Sequence, residues 1–143
     1  MRLTRSIGPT LLVALAACSA SLTAPPSGLP VTLTSLSFQS VQVASITSAD
    51  DSVTAMVPPP GFAGCGGPIT ADAGLRAGEL IMTLTQLVRS GPCPPVTAVV
   101  PLPLELIVHD VPSGTRAARV VLRLVRGDNA TYSTLASGTI TVE

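Results

Sequence analysis

Cys65, Cys93, His109, Asp110 and Ser113 are the residues of this chain whose types could support site chemistry, and their spacing limits what that chemistry is. The two cysteines with His109 would offer three metal ligands. A tetrahedral zinc site needs a fourth, and neither C-x-x-C nor H-x-x-x-H spacing is present. No metal is expected. His109, Asp110 and Ser113 have the types of a hydrolase triad, which needs a base within reach of its nucleophile and a third group to orient the base. Here the three fall in one short turn, and no G-x-S-x-G elbow occurs. They read as a strand end entering the turn Pro112-Ser113-Gly114. Glu79, Glu105, Asp50, Asp51 and Asp72 could serve acid–base work only if two converged, which nothing in the sequence implies. Asp50-Asp51 also lacks the alternating oxygens of a calcium loop. No catalytic residue is assigned, and the chain is read as a non-enzyme.

Two features suit binding instead. Arg119 and Arg123, with Val121 between them, form a basic stripe that could meet an acidic sugar, a lipid head group or an acidic protein face. Cross-strand partners such as Glu105 would neutralise it. Phe62 lies in the Pro58–Pro68 loop, and loops on a rigid scaffold commonly carry recognition. Phe62, Arg119 and Arg123 are therefore the candidate binding surface. Composition narrows the partner. All eight basic residues are arginines, and eight acids balance them to a formal charge of zero. Nucleic acid is excluded, because its binders neutralise phosphates with a basic excess. With Phe38, Phe62 and Tyr132 as the only aromatics and a single His, neither a stacking platform nor a multi-histidine metal site can be built. No cofactor is expected.

The N-terminus carries an address. Arg2 and Arg5 precede a stretch that is continuously apolar from Leu11 to Ala17, the charge and length pattern of a secretory signal. The run is too short to span a bilayer, which takes about 20 apolar residues. Leu15-Ala16-Ala17-Cys18 resembles the lipobox of bacterial lipoproteins. That resemblance implies cleavage before Cys18, a diacylglycerol on its sulfur, and a protein held in the bacterial cell envelope. The site would be the outer side of the cytoplasmic membrane or, because Ser19 follows the cysteine, the outer membrane. Two acyl chains suffice for stable anchoring where one is marginal. The expected organisation is a signal peptide over 1–17, a lipidated Cys with a flexible Pro-rich tether over 18–30, and one domain over 31–143. Without Arg2 and Arg5, eight acids face six arginines. With Cys18 lipidated, Cys65 and Cys93 are an even pair in an exported chain and read as a disulfide, contributing about 3–4 kcal/mol by loop closure. Asn129-Ala130-Thr131 matches a glycosylation acceptor that would be idle in such a protein.

The elements that must position these residues read as short strands. Val31–Phe38 alternates with a phase change between Leu33 and Leu36, and Val41 and Val43 continue a second run. Val53, Ala55 and Val57 share a face, as do Leu80, Met82, Leu84 and Val88. Leu102, Leu104, Leu106 and Val108 repeat the pattern, then Ala118, Val120, Leu122 and Leu124, and Thr139–Val142 closes the chain. Turn chemistry falls at Asp50-Asp51, Pro58–Gly61, Gly66-Gly67-Pro68, Ser90-Gly91-Pro92, Pro112-Ser113-Gly114 and Gly127-Asp128-Asn129. Residues 79–88 and 116–126 also fit a helical period, but Gly74, Gly78, Thr83, Thr85 and Val120-Val121 favour strands. Pro101 and Pro103 imply an edge or irregular strand, since neither can donate to a ladder. About seven such strands predict a mainly β fold, a single antiparallel β-sandwich of immunoglobulin-like architecture. The expected function is a membrane-anchored envelope lipoprotein whose non-catalytic domain binds an envelope protein or glycan or serves as a structural module. The alternative is a small envelope hydrolase or an accessory subunit of one.

Overall fold

A computed structural model describes residues 28–37, 40–59, 66–89 and 102–143. Cys18, Phe62, Cys65 and Cys93 lie outside the described residues, and so does the proposed Cys65–Cys93 bond. The described chain is all strand and turn: β1 (Val31–Ser35), β2 (Ser45–Ala49), β3 (Ser52–Val57), β4 (Gly66–Arg76), β5 (Glu79–Val88), β6 (Leu104–Val108), β7 (Gly114–Arg126) and β8 (Asn129–Val142). They form two four-stranded sheets, ordered β1-β6-β3-β2 and β4-β5-β7-β8.

The period-2 alternation explains why the sheets face each other. Val53, Ala55 and Val57 of β3 and Leu104, Leu106 and Val108 of β6 point inward from the first sheet. Leu80, Met82 and Leu84 of β5 and Ala118, Val120 and Leu122 of β7 point inward from the second, and all twelve join one buried cluster. At roughly 25 cal/mol per Å² of apolar surface removed from water, this shared layer is the main force holding the sheets together. The edges meet as well: Ser48 Oγ on β2 donates to the carbonyl of Thr141 on β8 at 2.6 Å.

Segments 79–88 and 116–126 are strands, with β5 and β7 paired residue for residue from Leu80–Ala118 to Leu87–Val125. That pairing is parallel, whereas every other is antiparallel, a departure from the all-antiparallel sheet expected. The cause is topological. The chain leaves β5, crosses to the first sheet as β6 and crosses back as β7, and two reversals restore its direction.

Other expectations need correction. Val41 and Val43 form no strand, and Val43 is 77% exposed. The strand comes later, at β2, where only Ile46 packs on the core. Gly66-Gly67-Pro68 is not a turn but the start of β4. The ladder slips there, between Gly66 and Ile69, since Pro68 has no amide to donate. Buried Gln86 on β5 spans the gap, its Nε2 donating to Gly67 O at 3.2 Å. Gly67 also lets the two backbones come close, because a Cβ there would sit a tight 3.1 Å from Leu87 O. Pro101 lies outside the described residues, and Leu102 and Pro103 are irregular rather than an edge strand. Pro103 precedes β6 and accepts a hydrogen bond from Leu36 N, while β6 itself is central, between β1 and β3.

Candidate functional site

The outer face of the β4-β5-β7-β8 sheet holds a concavity of about 710 Å³, open to solvent. Register arranges its lining in rows across four strands. Asp72, Thr83, Val121 and Thr134 form one row. A second carries Gly74, Ile81 and Arg119, and a third carries Arg123 and Tyr132, with Thr85 beside them outside the lining. Same-face neighbours along a strand are about 6.6 Å apart and adjacent strands about 4.8 Å apart, so the rows cover a patch of molecular dimensions. The backbone of Gly28 and Leu29 borders it, with Leu29 N donating to Ala73 O at 2.9 Å along the free edge of β4.

The arginines of this face are not equivalent. Arg76 stands opposite Glu79 in the β4–β5 ladder, and Arg119 Nε lies 3.2 Å from Glu79 Oε1. The Arg119 N–H is not aimed along that line, so the contact is an ion pair without a hydrogen bond at Nε. Of the two, only Arg119 is in ion-pair distance of that carboxylate. Arg123 has no acid in its row. Thr85 and Tyr132 flank it, and among the described residues it makes no salt bridge. Its Nε is covered and without a hydrogen-bond partner, as is that of Arg119. Tyr132 is 64% exposed, presenting its ring beside that free charge.

Arg119 and Arg123 therefore do share a face, as their spacing implied. Glu105 does not neutralise them. It belongs to β6, paired with Thr34 and Met56 in the other sheet, and the partner of Arg119 is Glu79. Tyr132 was missed, and Asp72, weighed only as an acid–base group in a loop, lies within β4 on this face. The sequence held a signal for the first. Counting outward from the Gly127-Asp128 turn puts Arg123 opposite Tyr132, and Gly127 has φ 57° as a tight hairpin turn of this kind requires.

His109, Asp110 and Ser113 do not assemble into a triad. His109 Nε2 lies 3.0 Å from Thr32 Oγ1, its backbone N–H is held by Pro30 O, and no group orients Nδ1 among the described residues. The turn around Ser113 is clamped differently: Arg116 Nη2 donates to the carbonyl of Ser113 at 2.8 Å and to that of Pro112. Among the described residues no cluster of His, Cys, Asp and Glu could hold a metal ion, and no helix is long and apolar enough to cross a membrane. No protein family, curated protein or solved structure matches the chain.

Proposed function

We propose that this protein is a bacterial envelope lipoprotein, anchored by a diacylglycerol on Cys18, whose β-sandwich binds an envelope partner without catalysis or cofactor. The observation that carries the binding half is the Arg123–Tyr132 pair, a guanidinium without an acid partner beside an exposed ring in a solvent-open concavity. The site lies on paired strands rather than on a loop, so its geometry is fixed by the ladder before any ligand arrives. The anchoring half rests on the leader and its Leu15-Ala16-Ala17-Cys18 motif. A disulfide between Cys65 and Cys93 belongs to the same reading, since export places the chain outside the reducing cytosol.

Intact mass spectrometry of protein taken from its native membrane tests the address. The expected chain starts at Cys18, carries a lipid adduct and is two hydrogens short at the remaining cysteines. Cys18→Ser should move the protein to the soluble fraction, and a variant that stays in the membrane would remove the anchor. Capture from detergent-solubilised envelope tests the binding half. Wild type should return a defined protein or glycan, and Arg123→Glu should not. A hydrolytic activity lost on His109→Gln would replace the binding reading with the enzymatic one.

A further inference from the structure

We infer that the ligand of this face is an acidic saccharide, a sugar chain bearing carboxylates, and this rests on the reading of the concavity as a binding site. The lining asks for three properties at once. Exposed Tyr132 offers a flat apolar ring, which suits the C–H face of a pyranose. Next to it in the ladder, Arg123 offers a planar fork of donors with no competing acid in its row, the geometry that recognises a carboxylate. Two rungs away the Asp72 carboxylate, with Thr83 and Thr134 hydroxyls in the same row, accepts from hydroxyl donors. Only a ligand that is at once apolar on one face, hydroxylated and anionic satisfies all three.

The same residues argue against the other anions. A phosphate-rich membrane surface is flat, whereas this face is concave, and it would bring Asp72 and Glu79 against like charge. A run of acidic residues would satisfy Arg123 but carries no pyranose face to lie on the Tyr132 ring and no hydroxyls for Asp72. The concavity is open to solvent rather than enclosed, and its lining runs across β4, β5, β7 and β8, which suits an extended chain more than a small molecule engulfed.

The chain supplies its own reporter. It has no Trp, and Tyr132 is its single tyrosine, so all tyrosine emission of the protein comes from the proposed site. The lipidated full chain in neutral detergent is titrated with hexagalacturonate, maltohexaose, polyglutamate and phosphatidylglycerol vesicles. A saturable change in Tyr132 emission is expected with hexagalacturonate alone, weakening at high salt as exposed ion contacts do. Followed by calorimetry, Arg123→Gln and Tyr132→Ala should each weaken hexagalacturonate binding about tenfold or more. Tyr132→Phe should retain it, because stacking needs the ring and not the hydroxyl. Unchanged thermal unfolding of the variants shows that the loss is local. Equal binding of maltohexaose, a preference for polyglutamate or for the vesicles, or no response to any of the four overturns the inference. If the capture experiment still returns a partner that Arg123→Glu abolishes, the binding site stands and only its ligand class falls.

Discussion

The two sheets differ in length, and the difference divides their work. Strands of the β1-β6-β3-β2 sheet are five or six residues long, while those of the β4-β5-β7-β8 sheet run from ten to fourteen. Only part of the long sheet can be covered by the short one. Where the cover holds, side chains alternate between fully buried and half-exposed, as along β5 from Leu80 to Gln86. Where it runs out, both faces are open: every residue of β8 from Asn129 to Thr134 is exposed. The short sheet closes the core. The long sheet closes the core with one face and presents Arg123, Tyr132 and Asp72 on the other, so a substitution at these positions leaves the buried layer untouched.

The largest expected effect probes the shared layer. Leu106→Ala in the short sheet and Leu84→Ala in the long one, both fully buried, should each cost about 2–5 kcal/mol in urea unfolding, in a single transition for both. Two separable transitions would show that the sheets do not form one cooperative core. A smaller effect is expected at the entry to β7. Gly114 holds φ 122°, a backbone conformation nearly closed to L side chains, and Gly114→Val should cost about 1–3 kcal/mol. The smallest effect sharpens the contrast between faces. Glu79→Gln removes a half-exposed ion pair and should change stability by less than about 1 kcal/mol. A stability loss above 2 kcal/mol would mean that this face is a folding element and not a free surface.

Much of the fold was legible locally. The inward faces of β3, β5, β6 and β7 follow from alternation alone, and Asp50-Asp51 and Gly127-Asp128 do turn the chain. What escaped was strand without a hydrophobic signal. β4 begins Gly-Gly-Pro and continues through small residues, and most of β8 is exposed, so neither shows the pattern that burial imposes. The candidate site was half legible for the same reason. Arg119 and Arg123 stand out by charge and spacing, but Tyr132 and Asp72 join them only through β8 and β4.

Alternation in the sequence settled which side of each strand faces oil and which faces water, because that choice depends on residues two apart in one segment. The proposed leader, with its Leu15-Ala16-Ala17-Cys18 motif, is likewise local, readable without a fold. Tertiary structure alone settled which strand lies beside which. The parallel union of β5 with β7, the ion pair of Arg119 with Glu79 rather than Glu105, and the meeting of Arg123 with Tyr132 all depend on how segments far apart in the chain cross between sheets. A strand's periodicity is the same whichever neighbour it takes and in whichever direction, so no local pattern could have chosen among them.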